Sequence, residues 1–473
     1  MNENLTALVP ELGLLGAAVI GLLSGSWLPR RRQWAIAVLA VAACVAGLVA
    51  TAATLATDRE QTVFSHAFAV DTATGVGRLV VLTALLLITG MSTETVRGHA
   101  RETEYWVLLL MTGAGTLALI GANDLLMLFA AYLLASIPAY ALAAFAKDAS
   151  GTEAALKYYL MGALLGTTML AGTAVLYAVG HGTLYRGLNA ALPTAPYGLV
   201  AVGLVGVLAG LVFKAGAVPA HFWVPDVTEG APAPVAAYVT TLPKVGGLIA
   251  GYRLLHQALP GSDVNWPLLL AILAAVTMTL GNFAAFFQRS VTRLLAYSTI
   301  SQVGYLLMAL AVATRTDLAQ RSLLCYLAAY AATNLGVFAV VTELPHARSL
   351  DDYRGLGRHR PGLAAVLVVC LLGLVGTPPT GVFLGKLEVF TATIDGGYTW
   401  LAVLAVANTV VSLFYYLRWL APVFTTTAPA PAATQVALGR WAAVTAYAAA
   451  VLSLALGIAG QTVLTLTDGP LLP

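Results

Sequence analysis

Phe213-Lys214-Ala215-Gly216-Ala217-Val218-Pro219 and Gly376-Thr377-Pro378-Pro379-Thr380-Gly381-Val382-Phe383-Leu384-Gly385-Lys386 decide how this sequence folds. Each sets a lysine beside glycine and proline in the middle of a long apolar run. Proline lacks a backbone donor and clashes with the preceding turn, so each run reads as a helix interrupted in mid-span. A further lysine, Lys244, lies inside the apolar run after the first break. A charged side chain at a helix centre costs roughly 2.5–3.5 kcal/mol on insertion scales. Lysines kept at such a cost, three of the five in the chain, point to use rather than ornament.

The rest of the sequence supports a membrane setting. Of 473 residues, 59% are hydrophobic and 10% charged, and the mean hydropathy is +0.85, whereas a soluble domain carries about 25% charged residues. This composition excludes an ordinary soluble enzyme. A hydrocarbon core of about 30 Å takes about 20 apolar residues per helix. Apolar windows near 7–27, 34–56, 76–95, 104–120, 125–146, 157–179, 197–217, 234–255, 266–287, 293–313, 321–342, 362–392, 398–420 and 440–466 predict fourteen spans. Long apolar runs without strand alternation favour a helical bundle over a β-barrel.

Charge adds an orientation. With the loop at Pro29 to Arg32 inside, fifteen basic residues fall on that side: Arg30, Arg31, Arg32, Arg97, Arg101, Lys147, Lys157, Arg289, Arg293, Arg348, Arg354, Arg358, Arg360, Arg418 and Arg440. Six fall opposite, namely Arg59, Arg78, Arg186, Arg253, Arg315 and Arg321. The bias places both termini outside the cytoplasm. A net charge of +3, spread through loops, gives no reason to expect nucleic acid. Cys44, Cys325 and Cys370 each stand alone in apolar runs, so no disulfide framework, zinc site or iron–sulfur site follows. The opening residues carry an acid and no base, unlike a secretory signal, so the first span is expected to be retained.

Interrupted segments in corresponding positions of two halves are the sequence pointer to an inverted repeat. The expected fold is an all-α polytopic membrane protein of about fourteen helices. It comprises helices 1–3 in residues 1–103, a five-helix repeat in 104–256, a second inverted five-helix repeat in 266–422 and a last helix in 440–473. The discontinuous helices are the seventh and the twelfth.

No nucleophile, metal or phosphate constellation emerges. The seven histidines are scattered and none pairs with another His or a Cys at ligand spacing. What remains is the lysine set. Burial disfavours an ammonium group and a nearby acid favours it, so a lysine between the two influences can load and release a proton.

At this point the residues resemble a known family. The stretch 213–235, with Pro225-Asp226-Val227 and Glu229-Gly230-Ala231-Pro232, is similar to the central signature of the antiporter-like membrane subunits of respiratory complex I, in the wording of their N-type branch. Arg293-Leu294-Leu295-Ala296-Tyr297-Ser298, Leu350-Asp351-Asp352-Tyr353-Arg354-Gly355-Leu356 and Pro378 to Lys386 agree with it. The resemblance covers about residues 100 to 425. It implies a fourteen-helix proton-translocating module in which Lys214, Lys244 and Lys386 form a hydrated axis. It further matches Glu153 to a glutamate of the sixth helix, four residues ahead of Lys157 and on the same helix face. An exposed ion pair is the plain alternative for Glu153 and Lys157. The resemblance also implies that FMN, iron–sulfur clusters and quinone belong to partner subunits, with no cofactor or metal in this chain. The implied partners are other membrane-arm subunits, the bilayer, and NADH and quinone through the holoenzyme, in a bacterial inner membrane.

Two positions depart from the family pattern. Leu133 stands five residues before Pro138, where a glutamate is usual, and no acid occurs between Asp124 and Asp148. Gln302 stands where histidine is frequent. If Leu133 faces Lys214, the cytoplasm-side half-channel is expected to be weakened, and Tyr132, one position off in register, is expected to be a poor replacement. Three functions stay open: a subunit of a redox-driven proton pump, a subunit of a multisubunit cation/proton antiporter, and a non-pumping paralogue filling a slot in a membrane arm.

Overall fold

The computed structural model describes residues 4–57, 60–425 and 439–472; Arg59, counted above among the outer charges, lies outside them. Nineteen α-helices, four short 3-10 helices and one two-stranded hairpin are the regular elements among the described residues. The first six helices are α1 (Val9–Trp27), α2 (Trp34–Ala56), α3 (Thr72–Val96), α4 (Glu102–Gly121), α5 (Leu125–Ala143) and α6 (Ala149–Gly180). There follow α7 (Tyr185–Ala191), α8 (Tyr197–Ala215), α9 (Trp223–Gly230), α10 (Ala233–Ala258), α11 (Trp266–Phe286), α12 (Val291–Ala311) and α13 (Leu318–Glu343). The last are α14 (Leu356–His359), α15 (Pro361–Val375), α16 (Gly381–Asp395), α17 (Thr399–Val423), α18 (Trp441–Ile458) and α19 (Gly460–Thr467).

Twelve helical segments among the described residues are long and apolar enough to cross a membrane. Two further crossings bring the count to the expected fourteen. One is α10, whose 26 residues include Pro243, Lys244 and Arg253 and are buried almost throughout. Because protein rather than lipid surrounds it, it needs no uniformly apolar surface. The other is the pair α15 and α16, each 15 residues long, joined through Gly376 to Thr380.

Short polar residues start the helices. Asp71, Asp124, Asp148 and Ser290 each accept a backbone N–H from the first turn of α3, α5, α6 and α12, supplying bonds that the helix cannot make for itself. The two breaks are built alike. Gly216 and Ala217 both donate to the carbonyl of Val212, while Gly376 and Thr377 both donate to that of Leu372. Gly216 and Gly376 take the left-handed conformation, with φ of 79° and 95°, which a residue with Cβ adopts only at a cost. The seventh and twelfth spans are therefore discontinuous where the sequence places the breaks.

Close packing follows from glycine in the helix faces. A Cβ at Gly304 of α12 would lie 2.4 Å from the Met278 nitrogen, and one at Gly281 of α11 would lie 2.5 Å from the Ser301 nitrogen, so both backbones touch. On the first half, Gly115 brings α4 onto α5 and Gly206 brings α8 onto α6 in the same manner.

The structure corrects the charge tally. Arg78 and Arg253 are not loop residues: they lie inside α3 and α10, at 1% and 0% exposure. Arg78 donates to both carboxylate oxygens of Glu11 at 2.8 Å. Arg253 forks onto Asp71 at 2.7 and 2.8 Å, and the Leu472 N–H adds a bond to the same carboxylate at 3.0 Å. A guanidinium fork matched to a carboxylate is what makes such burial tolerable. Among the described residues the interior thus holds five buried cations rather than three. The sequence reading also passed over the hairpin Gln61–Val63 with Phe68–Val70, although its β-branched and aromatic residues were a strand signal.

Candidate functional site

Lys214 and Lys386 flank the two breaks, and Lys244, in mid-α10, packs against the first of them. Lys214 occupies the last turn of α8, and its ammonium donates to Ser136 Oγ at 2.8 Å, 5.7 Å from the Tyr132 ring centre. Lys244, in α10, donates to the Val239 carbonyl at 2.9 Å and lies 5.0 Å from the ring centre of Trp223. A carbon added at Gly216 would stand 3.5 Å from Lys244 Nζ, and one at Gly247 would stand 3.3 Å from Lys214 Cγ. Lys244 therefore packs in contact with the glycine of the break, whose tightest neighbour is Val224 Cγ2, 2.8 Å from such a carbon. Lys386, in α16, donates to the Val375 carbonyl at 2.8 Å and to Thr409 Oγ1 at 3.3 Å, with Tyr305 beneath it at 4.2 Å. Val375 ends α15, so the break supplies the carbonyl that Lys386 uses. All three side chains are buried, at 0%, 0% and 3% exposure, facing protein and not lipid.

Between Lys244 and Lys386 runs a buried polar chain. One turn before Lys244, the Thr240 hydroxyl accepts from Asn334 at 3.0 Å, and its carbonyl accepts from the Tyr330 hydroxyl at 2.7 Å. That hydroxyl also reaches Thr299 Oγ1 at 3.1 Å. One turn along α12 from Thr299, Gln302 donates to the Leu374 carbonyl at 2.8 Å and accepts from the Tyr326 hydroxyl. Leu374 precedes the residue that holds Lys386. Three steps, from Lys244 to Thr240, from Thr299 to Gln302 and from Leu374 to Val375, are made by the polypeptide itself and not by hydrogen bonds. A second branch from Lys386 passes through Thr409 to the Tyr305 hydroxyl at 3.3 Å.

A charged cluster lies at the start of α6, against α9 and α12. Lys157 contacts Glu153 and Asp226, both at 2.8 Å. Arg293 contacts Asp226 at 3.1 Å and Glu229 at 3.0 Å. Ser150, Ala154 and Gly230 complete the walls of a cavity of 170 Å³ around it. Glu153 and Lys157 are thus paired as the spacing implied, but Glu153 is 68% exposed, and an exposed i,i+4 pair alone contributes little. Asp226, which joins Lys157 to Arg293, is the hub. The sequence reading quoted Asp226, Glu229 and Arg293 inside its motifs without giving them a role. The signal was available: Asp226 and Glu229 stand three apart, on one helix face.

Leu133 is 36% exposed, whereas Tyr132 and Ser136 are buried at 0% and 1%, and it is Ser136 that meets Lys214. Tyr132 and Ser136, four apart, share the face of α5 that meets Lys214, and a step of one residue rotates a side chain by about 100°. Leu133→Glu is therefore expected to add nothing to the protons moved per electron pair in an assembled complex, measured in vesicles; a gain would show that a carboxylate there reaches Lys214. Gln302 keeps a bonding role, bracing α13 and the end of α15 from α12.

The fold and site define a class, polytopic membrane subunits with interrupted helices around buried lysines. The family described as NADH:quinone oxidoreductase/Mrp antiporter, TM matches residues 122–412. NADH-quinone oxidoreductase subunit N 1 of Streptomyces griseus is 55% identical over 464 residues, 98% of each chain. A chain of respiratory complex I from Thermus thermophilus superposes with a TM-score of 0.84 at 30% identity, over 98% of this chain and 100% of that one. A chain of the Mrp complex from Dietzia sp. shares the fold, with a TM-score of 0.85 at 21% identity, over 98% and 95%. This chain belongs to the NADH:quinone oxidoreductase/Mrp antiporter family, in its subunit N branch.

Proposed function

We propose that this chain is a proton-translocating membrane subunit of NADH-quinone oxidoreductase, carrying protons along Lys214, Lys244 and Lys386. The observation that carries the reading is the burial of all three lysines inside the bundle, with the buried polar groups Thr240, Tyr330, Thr299 and Gln302 lying between Lys244 and Lys386. At the second break Lys386 meets the Val375 carbonyl that ends α15, as expected where irregular backbone lines an ion path, and at the first Lys214 meets the Ser136 hydroxyl of α5. Glu153 and Lys157, held through Asp226 and Arg293, form the coupling end, where a change of charge nearby would be felt.

Electrons are handled elsewhere. FMN, iron–sulfur clusters and quinone belong to partner subunits, and NADH and quinone are met through the holoenzyme alongside other membrane-arm subunits. The chain lies in a bacterial inner membrane with both termini on the extracytoplasmic side. Residues 1–103 precede two inverted five-helix repeats, 104–256 and 266–422, and 440–473 closes the bundle. The antiporter alternative shares the lysines and the fold. The 55% identity to a subunit N over nearly the whole chain favours the oxidoreductase.

The test is single Lys→Ala replacement at 214, 244 and 386 in the assembled complex in vesicles, scored for chain content and for protons moved per electron pair. Each variant is expected to lose proton yield at unchanged content. Full yield in all three would discard the reading.

A further inference from the structure

Lys214 has no carboxylate beside it on α5, and the structure offers something else. Tyr132, Ser136 and Tyr140 stand four residues apart, so their hydroxyls form one stripe on the face of α5 turned to α6 and α8. Leu133 and Ile137, which border this stripe, are exposed. Ser136 Oγ holds the Lys214 ammonium at 2.8 Å. The Tyr140 hydroxyl lies beside those of Ser136 and Tyr132, and Tyr132 donates to the Gly162 carbonyl at 3.1 Å. Room for Tyr140 comes from α6, since a Cβ at Gly162 would fall 1.9 Å from its hydroxyl oxygen.

The stripe leads toward the charged cluster. Tyr158, the neighbour of Lys157, meets the Tyr140 ring edge-on at 4.7 Å. Its hydroxyl is fully buried and has no hydrogen-bond partner among the described residues, while its electrostatic neighbours are Tyr140, Tyr238 and Tyr132. A buried hydroxyl left without a protein partner, beside other hydroxyls, is a site for bound water.

We propose that the Tyr132–Ser136–Tyr140 stripe, with water held at Tyr158, is the proton route between the Asp226 cluster and Lys214, taking the place of a carboxylate on α5. This rests on the lysine-axis reading and names the group that loads its first member. In the loading step, Ser136 gives its hydroxyl proton to the free amine of Lys214 and takes one from the Tyr140 hydroxyl. Water at Tyr158 then refills Tyr140 and takes a proton in turn from the side of the Asp226 cluster. No electrons move, and each hydroxyl ends as it began. Ser136 touches the proton-carrying amine, whereas Tyr140 acts through it and is a positioning residue.

The test uses the assembled complex in vesicles carrying Ser136→Ala, Ser136→Thr, Tyr140→Phe or Lys214→Ala, scored for chain content and protons per electron pair. Ser136→Ala and Tyr140→Phe are expected to lose as much proton yield as Lys214→Ala at normal content, with Ser136→Thr restoring it because the hydroxyl returns. Full yield in Ser136→Ala and Tyr140→Phe, beside a loss in Lys214→Ala, would overturn the stripe and leave the lysine axis standing. A loss in Ser136→Ala that threonine does not restore would assign Ser136 to packing and overturn the stripe as well. Full yield in Lys214→Ala would remove the axis, and the stripe with it.

Discussion

Arg253→Leu is expected to destabilise the chain by about 3–5 kcal/mol, the usual cost of leaving one partner of a buried ion pair uncompensated. Asp71 would keep its bonds from Thr74 and Leu472 but lose the guanidinium fork, with both partners at 0% side-chain exposure. The variant should fall sharply in membrane content and in its detergent melting temperature. The double variant Arg253→Leu with Asp71→Asn should recover part of the loss, because no charge is then stranded. A content equal to that of the unmodified chain in Arg253→Leu would show that the pair is dispensable. The pair also sets an acid limit. Burial alone would raise the Asp71 carboxyl, yet Arg253 and the N–H groups of Thr74 and Leu472 outweigh it and hold the group below the ordinary carboxylate range. A depressed folded value means the contribution is complete above about pH 3.9, the unfolded value, and is lost as pH falls through the folded one.

Lys386→Met is expected to lower proton transfer through this chain by about a hundredfold, the low end of what a positioned proton-transfer group supplies. Methionine preserves most of the volume while removing the donor to Val375 and Thr409. Lys386→Arg should be equally inactive although it keeps the positive charge, because a guanidinium does not give up its proton. Retained transfer in the arginine variant, read as acidification of the vesicle lumen, would mean that fixed charge and not titration is what the site needs.

The breaks and the lysines were legible because proline, glycine and lysine in an apolar run each violate a strong rule, and violations stand out. The span count was legible for the same reason, since the bilayer imposes one length on every helix. Arg78 and Arg253 were misread because a lone arginine near the edge of an apolar window looks like a loop charge. Only the fold brings Glu11 and Asp71 to them, across 67 and 182 residues of sequence. The surroundings of Lys214 turn on register. The family pattern drew the eye to Leu133, whereas the face of α5 that meets α8 is set by Tyr132, Ser136 and Tyr140, whose four-residue spacing was present in the sequence. Gln302 stood out against the family pattern, whereas Thr240, Tyr330 and Thr299 carried no signal of their own, since a hydroxyl in a membrane helix usually bonds its own backbone.

Protons moved per electron pair, measured in vesicles for Lys214→Ala, Lys386→Ala and the double variant at matched chain content, test the central claim most directly. Carriers in series fail together, so the account predicts that each single variant loses the same yield and that the double loses no more. Losses that add, or a full yield in either single variant, would contradict a single path from Lys214 through Lys244 to Lys386.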